Sequence, residues 1–419
     1  MRALRLVLAV VAVLVVGCPK KAGEAARPGR PIAMPEFTEA ELAAAPALGV
    51  AAATPQGQLD EASAADEVAV TFDAPMIALG EETDSSAFPL LLDPDVAGRC
   101  RWLGDRTIVF APDSGFAPAT RYSVRIPRGV RAAEGEMLKS DYRFEFLTVR
   151  PQLARSEPYD GQEYVELDRP LWLMFNLPMD PKRAARGISL RGPAGLDVAV
   201  RLRHPRPGET PEESWWYDSS QASRILVVEP RRRLAIESPY ALRLSPELRA
   251  AQGDLGMANA RVVAFRTFNR LRLEGIVDAG AHYPEDVVEL VFSNPVPVAM
   301  VARDIQFIPP VKMPEEYRNG DWATRFVRLS VPLNAETQYE VRLSRWVSDK
   351  FGNRLGRAQK LKLRTVSYRP RASMPTGPGV IESEGKPFHP VTMVNIESLA
   401  VRTRRLGVDE VVPYWRAVY

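Results

Sequence analysis

The sequence has little of what enzymes and disulfide-stabilised domains use. Its 419 residues include two cysteines and three histidines, and His204, His282 and His389 lie far apart. Their spacing is not that of a metal site. The sequence also has no nucleophile elbow, phosphate-binding loop or dinucleotide fingerprint. These features predict a chain that is not an enzyme and that holds no metal or cofactor.

An excess of charge of one sign is also missing. The 55 basic residues nearly balance the 52 acidic ones, so the formal net charge is +3. Because nucleic-acid-binding domains concentrate positive charge, no nucleic-acid partner is expected. The long apolar run at the start of the chain, 6–16, has eleven residues. That run is too short for a stable membrane-spanning helix.

The start of the chain has the pattern of a signal peptide. Arg2 and Arg5 form a positive region before the apolar run, which ends in Val15-Val16-Gly17-Cys18. This ending resembles the lipobox of bacterial lipoproteins. The resemblance implies cleavage after Gly17 and attachment of lipid to Cys18. An ordinary signal peptide with an incidental cysteine is the alternative.

Lipid on Cys18 would make the chain a membrane-anchored protein of the bacterial cell envelope. Pro19 follows the cysteine, and by the same resemblance it favours the outer membrane. Residues 19–59 are rich in Ala, Pro, Gly and Glu, which predicts a flexible tether with a helical turn or two near 38–45. Cys100 is then the remaining cysteine, so no disulfide framework is expected.

One stretch occurs three times after the tether. In each copy a Gly follows a Tyr by 13 residues, and a Thr follows the same Tyr by 26 or 27. An apolar–polar alternation after the Tyr indicates a strand, and the Gly supplies a positive φ in the loop. A buried Tyr whose hydroxyl bonds nearby backbone is the tyrosine corner of Ig-like sandwiches. The members are Tyr122, Tyr240 and Tyr339; Gly135, Gly253 and Gly352; and Thr148, Thr267 and Thr365.

A second unit precedes each Tyr. It is an alternating apolar run that ends in a Phe, with a Pro three residues later. The Pro ends the strand or lies at an edge. A further apolar run lies between the two units, and a Trp just upstream of it is expected in the core of each copy. The members are Phe72, Phe175 and Phe292; Pro75, Pro178 and Pro295; and Trp102, Trp216 and Trp322.

These repeats predict an all-β chain of tandem Ig-like antiparallel β-sandwiches. Module 1 is predicted at 60–150, module 2 at 151–268 and module 3 at 269–367. The tail, 368–419, has two strand-like runs, 390–395 and 398–402. The tail resembles the opening of a macroglobulin domain, and this resemblance implies that it is the start of an incomplete macroglobulin-like β module.

The repeated unit resembles the bacterial Ig-like domain first known from surface-layer proteins. Phe72-Asp73-Ala74-Pro75-Met76 and Pro118-Ala119-Thr120-Arg121-Tyr122 carry this resemblance. The order of lipobox, tether, Ig-like modules and tail is similar to the amino-terminal region of a bacterial alpha-2-macroglobulin. That family traps proteases through an internal thioester between a Cys and a Gln. This chain has no Cys after Cys100, so a thioester within it is not expected.

Two hypotheses follow. In the first, the chain is the non-catalytic anchoring and spacing end of a macroglobulin-like protease-inhibitor lipoprotein. Missing carboxy-terminal sequence or another chain would then complete 368–419, and a protease or an envelope protein would be the partner. In the second, the chain is a stand-alone structural or adhesive Ig-like lipoprotein that binds a protein or an envelope polymer. Fold alone does not choose between them.

Overall fold

The computed structural model describes residues 34–60, 66–78, 88–375 and 390–418. Cys18 and its lipobox lie outside the described residues. The chain forms two compact units that do not coincide with the three predicted modules, because two segments of module 2 belong with module 1. The first unit is Met1–Leu153, Phe175–Gly187 and Ser245–Ala260, and the second is Ala154–Met174, Ile188–Leu244 and Arg261–Tyr419.

Residues 34–59, which we call the leading segment, are folded, so the prediction of a flexible tether is wrong for this stretch. Thr38 caps a short helix, and Glu41 completes a capping box with it. Leu42, Leu48 and Leu59 are buried, so their burial stabilises a stretch whose small and polar residues suggested disorder. The elements are α1 (Glu39–Ala44), β1 (Ala47–Leu48), β2 (Val50–Thr54) and β3 (Gly57–Gln58).

Module 1 completes a two-sheet sandwich with the leading segment. One sheet has the order β2-β4-β7-β6 and the other has the order β3-β10-β8-β5, while β1 pairs with β9. Strand β4 alternates buried and half-buried side chains, because successive side chains of a strand point to opposite faces. The strands are β4 (Val68–Phe72), β5 (Leu91–Asp93), β6 (Gly98–Leu103), β7 (Thr107–Pro112), β8 (Arg121–Ile126), β9 (Met137–Leu138) and β10 (Tyr142–Leu147).

Module 2 has the same plan. Its sheets have the orders β11-β13-β17-β16 and β12-β19-β18-β14-β15. Trp172 is buried on β13 and meets Tyr217 edge to face at 5.7 Å. The elements are β11 (Leu153–Glu157), β12 (Gln162–Val165), β13 (Leu171–Phe175), α2 (Pro181–Ala184), β14 (Ile188–Arg191), β15 (Asp197–Val198), β16 (Val200–Arg203), β17 (Ile225–Pro230), β18 (Pro239–Leu244) and β19 (Arg261–Thr267), with 3-10 turns at Ala185–Gly187, Pro193–Gly195, Ser214–Trp216 and Ser219–Arg224.

Module 3 has two three-stranded sheets, β20-β21-β23 and β22-β24-β25. Its core centres on Leu290, Phe292 and Tyr339, which are buried together. The elements are β20 (Leu273–Ile276), β21 (Val288–Pro297), α3 (Val298–Asp304), β22 (Gln306–Ile308), α4 (Glu315–Arg318), β23 (Ala323–Leu329), β24 (Gln338–Leu343) and β25 (Gln359–Arg364). The three modules confirm the predicted all-β architecture of tandem antiparallel sandwiches.

The expectation of a core Trp in every module is wrong for module 3. Trp322 is half exposed, at 50%, because it precedes β23 and lies over Gly320. Trp102 and Trp216 are partly buried and pack at the margins of their cores.

The tail contains one strand pair and one helix. Strand β26 (Arg371–Ser373) pairs antiparallel with β27 (Thr392–Val394). The strand expected at 398–402 is absent, and these residues belong to no strand or helix of the described structure. Helix α5 (Val408–Val418) was not predicted, and it contains Pro413, although proline is disfavoured inside a helix.

Candidate functional site

The repeated residues form three equivalent tyrosine corners. Tyr122, Tyr240 and Tyr339 are buried, with exposed fractions of 3, 5 and 2%. Each hydroxyl accepts a hydrogen bond from the backbone N–H five residues earlier. The donors are Ala117 at 3.0 Å, Ala235 at 2.7 Å and Asn334 at 2.8 Å.

The Thr that closes each repeat joins the same corner. Its hydroxyl donates to the carbonyl of the residue whose N–H the Tyr accepts, and it accepts an N–H from the corner loop. Each corner thereby satisfies three backbone polar groups with two side chains. The bonds to the carbonyl are Thr148 to Ala117 at 2.8 Å, Thr267 to Ala235 at 2.7 Å and Thr365 to Asn334 at 2.6 Å; the accepted N–H groups are Thr120, Ser238 and Thr337.

Each corner also holds a residue other than glycine in the left-handed region, which the sequence did not reveal. Ala119, Glu237 and Glu336 have φ of 51°, 57° and 52°. This conformation costs a residue with a Cβ about 1–2 kcal/mol, so the hydrogen bonds of the corner hold the loop in it.

The polar residue after each repeated Phe binds the incoming chain. Asp73 accepts from the N–H of Gly49 at 2.9 Å, and Asn176 accepts from Gln152 at 2.7 Å. Ser293 accepts from Arg272 at 2.8 Å. In all three modules the same residue's N–H donates to the carbonyl of the residue it holds. The Phe-x-x-Pro unit therefore fixes where each first strand begins.

The repeated Pro and Gly meet in every module. The residue two before each Gly donates its N–H to the carbonyl of the Pro, from Ala133 to Pro75, Ala251 to Pro178 and Lys350 to Pro295, at 2.9, 2.9 and 3.1 Å. The Gly residues have positive φ, at 100°, 73° and 83°. The loop that carries each Gly, which we call the Gly loop, is thereby fastened to the end of the module where the chain enters.

The Gly loop of module 2 contacts the corner loop of module 1. Leu255 donates its N–H to the carbonyl of Ala119 at 2.7 Å. A Cβ on Gly253 would lie 2.2 Å from that oxygen, so the close approach requires glycine. Asn176 adds a hydrogen bond to the carbonyl of Arg150 at 3.0 Å. Residues of the first compact unit thus form one joint.

The second joint uses residues of modules 2 and 3. Phe268, just after the closing Thr, stacks on Phe351 of the third Gly loop, with ring centroids 4.4 Å apart. Asn294 accepts from Asn269 at 2.9 Å and donates to the buried carboxylate of Asp349 at 2.6 Å. Such offset aromatic pairs stabilise by about 1 kcal/mol beyond their buried area.

The leading segment likewise contacts the Gly loop of module 1. Lys139 donates to the carbonyls of Leu42 and Ala45, and Arg128 pairs with Glu39 at 2.8 Å. The guanidinium of Arg128 also lies 5.5 Å from the ring centroid of Phe37. The sequence did not reveal this contact. It did contain one signal, because Asp73 follows the Phe of a Phe-x-x-Pro unit as Asn176 and Ser293 do, and this match indicates that a strand precedes module 1.

Cys100 is half-buried, and burial raises the pKa of its thiol to about 11. A thiol with a raised pKa stays protonated at neutral pH, which disfavours a nucleophilic role. Among the described residues, no group of three or more His, Cys, Asp and Glu side chains could hold a metal. The described helices are all too short or too polar to cross a bilayer.

Comparison with known proteins agrees with this architecture. Residues 44–148 match the family of bacterial Ig-like domains, and this range includes part of the leading segment. Over 332 residues the chain is 24% identical to an alpha-2-macroglobulin homolog of Nostoc sp. (strain PCC 7120). The match covers 73% of this chain and 17% of that protein, so the chain spans a small part of its relative.

Two solved structures are also similar. A fragment of Escherichia coli alpha-2-macroglobulin that spans domains MG0-NIE-MG1 is 13% identical, with 77% of this chain and 99% of that chain covered and a TM-score of 0.19. The amino-terminal part of the bacterial S-layer protein SbsC is 11% identical, with coverages of 52% and 44% and a TM-score of 0.21. The expected resemblance is thus confirmed: this is an Ig-domain chain that is similar to an alpha-2-macroglobulin homolog along most of its own length.

Proposed function

We propose that the chain is the anchoring and spacing part of an alpha-2-macroglobulin-like lipoprotein of the bacterial cell envelope. Lipid on Cys18 attaches it to a membrane, and the modules carry the rest of the protein away from the bilayer. It contributes no catalysis and no thioester to protease inhibition. The observation that carries this proposal is that the Gly loop of each module contacts the part of the chain that precedes the module, because a spacer needs modules that hold their neighbours.

The tail supports a role as one part of a larger assembly. Asn395 directly follows β27 and donates to the hydroxyl of Ser367 at 2.9 Å and to the carbonyl of Tyr368. Asn395 follows β27 as Asp73 and Asn176 follow β4 and β13, and its amide binds the carbonyl of Tyr368 before β26 as that of Asn176 binds the carbonyl of Arg150 before β11. This likeness favours a tail that opens a further sandwich, whose remaining strands would come from further sequence or from another chain.

The side chains of that opening are uncovered. Met393 and Val401 are 45 and 57% exposed, and Val412 and Tyr414 on α5 are 59 and 52% exposed. Apolar surface of this kind is normally covered by a partner or by the rest of a domain. This exposure favours the macroglobulin-like hypothesis, in which the tail begins a further β module.

Cell fractionation tests the anchor. In a bacterial host that lipidates such proteins, the wild-type chain should sediment with membranes, and Cys18→Ala should remain in the soluble fraction. Cys100→Ala is the matched control, because it removes the other cysteine and should sediment as the wild type does. Membrane attachment of Cys18→Ala at the wild-type level would contradict the proposal.

A stand-alone adhesive lipoprotein is the second candidate function. It is favoured by Trp346, which is 56% exposed and lies under the guanidiniums of Arg345 and Arg354, 4.4 and 4.9 Å from the ring centroid. Exposed Trp and Arg are enriched among residues that dominate protein interfaces. Retention of the tail as a protease-resistant, monomeric end of the full-length protein would favour this candidate.

A further inference from the structure

In each module the first strand contacts both sheets, and its direction relative to its neighbour differs between the two contacts. The early part of the first strand pairs antiparallel with the second strand, as in β2–β4 and β20–β21. The later part runs parallel to the last strand, as in β3–β10 and β12–β19. In module 3 the parallel contact is a single bridge between His282 and Thr365. We call the contact of first and last strand the parallel contact.

The relative direction of the first and last strands determines how a module resists a pulling force. A pull between neighbouring modules acts on the leading end of the first strand and the trailing end of the last. Because these two strands are parallel, the two forces slide them past one another along their length. All hydrogen bonds of the contact are then strained together, whereas antiparallel strands pulled at adjacent ends separate one bond at a time.

We infer that the chain bears tension through its three parallel contacts, and that module 3 unfolds at the lowest force. The inference deepens the proposed role as a tethered spacer, because a lipid-anchored chain that holds a partner is pulled at both ends. The contacts of modules 1 and 2 are strand ladders with two paired positions each, while that of module 3 has the single paired position His282–Thr365.

The contact in module 1 is reinforced by side chains and by a second strand pair. Gln58 pairs with Leu147, and its amide donates to the carbonyls of Leu147 and Thr148 at 3.3 and 3.2 Å. Leu59 donates its N–H to Leu147 at 2.8 Å. Strand β1 runs parallel to β9 in addition.

The contact in module 2 is longer than that in module 3. Gln162 and Val165 pair with β19, the N–H of Gly161 bonds Ala264 at 2.7 Å, and the carboxylate of Asp160 accepts from Ala264 at 2.8 Å. In module 3 three backbone bonds join 279–282 to 364–366. They are Arg364 to Ala279 at 2.7 Å, His282 to Arg364 at 2.9 Å and Val366 to His282 at 2.9 Å.

Single-molecule pulling on the purified full-length chain, held at its two ends, tests this inference. The trace should contain three main unfolding steps. Val366→Pro removes the N–H that bonds His282, so it should shift the step of lowest force to a still lower force, and Val366→Ala should leave that step unchanged. A shift in one of the two higher steps instead would show that module 3 is not the weakest and would overturn the ordering.

A second pair of variants tests the contact itself. Gln58→Ala removes the amide bonds to the last strand of module 1, and its unfolding at a given force should be about tenfold faster. Gln56→Ala is the control, because this exposed neighbour bonds the carbonyl of Ala53 within the leading segment. Equal force profiles for the two variants would overturn the inference. The measurement does not use the lipid anchor, so its failure would leave the proposal about Cys18 untouched.

Discussion

At the scale of single residues, the chain is organised by a few side chains that each bind backbone. A corner Tyr accepts one N–H, and its partner Thr donates to the carbonyl of the same residue. These bonds hold Ala119, Glu237 and Glu336 in a conformation that is otherwise unfavourable. The regular spacing of Tyr, Gly and Thr made the corners predictable. The left-handed residues were not, because Ala and Glu have no preference for that region.

Loss of a corner hydroxyl should destabilise its own module. Tyr122→Phe leaves the N–H of Ala117 without its acceptor, and we expect the free energy of unfolding to fall by about 1–3 kcal/mol. Tyr122→Ala should cost about 3 kcal/mol or more, because packing against Phe146 is also lost. Urea unfolding would measure both. Tyr159→Phe, at an exposed position, should have no effect, and an equal loss there would contradict the account.

Two glycines separate backbone strain from close contact. Gly253 and Gly352 both have positive φ, but a Cβ would meet the carbonyl of Ala119 only at Gly253. Gly352→Ala should cost about 1–2 kcal/mol from strain alone, and Gly253→Ala should cost about 2 kcal/mol more from the clash. Thermal unfolding would compare them. Equal losses of stability would show that the backbone at Ala119 moves away from a Cβ at residue 253 without a cost in free energy.

At the scale of elements, alternating patterns predicted strands well where every second residue is apolar. Strands β4, β8 and β24 bury every second side chain, as their sequences indicated. The leading segment was missed because its strands are short and Ala-rich, and three buried Leu side chains hold them. The helix of the tail was not predicted, and it contains Pro413, although proline is disfavoured inside a helix.

The tail should be separable from the modules. Its described side chains are mostly exposed, and its links to module 3 are few; the chief one is the bidentate pair of Arg369 with Asp286, at 2.5 and 2.8 Å. This pair holds the pKa of Asp286 below its usual range. A chain shortened to residue 369 keeps the pair, so its melting temperature should match that of the full chain.

Limited proteolysis gives the complementary observation. Cleavage of the full chain should begin beyond Arg369 and leave the three modules intact. A full-length chain that is monomeric and resistant through Tyr419 would show the tail to be a finished element. The tail would then no longer support the view that it opens a further module.

At the scale of the whole molecule, the repeated residues form tertiary contacts that the sequence did not reveal. Phe-x-x-Pro, the Gly loop and the tyrosine corner could each be predicted as parts of a sandwich. Their encounter could not, because Pro178 and Ala251, or Ala119 and Leu255, come together only when strands far apart in sequence have folded. The fold was therefore predictable from local patterns, while the joints on which the proposed spacer role rests depend on tertiary contacts.

The central claim is that these modules are held to a membrane by lipid on Cys18. Mass spectrometry of the amino-terminal peptide, from protein extracted from bacterial membranes, tests it most directly. The account predicts a mature chain that begins at Cys18 and carries acyl groups on that residue. A mature chain that begins elsewhere, or that begins at Cys18 without acyl groups, would contradict it.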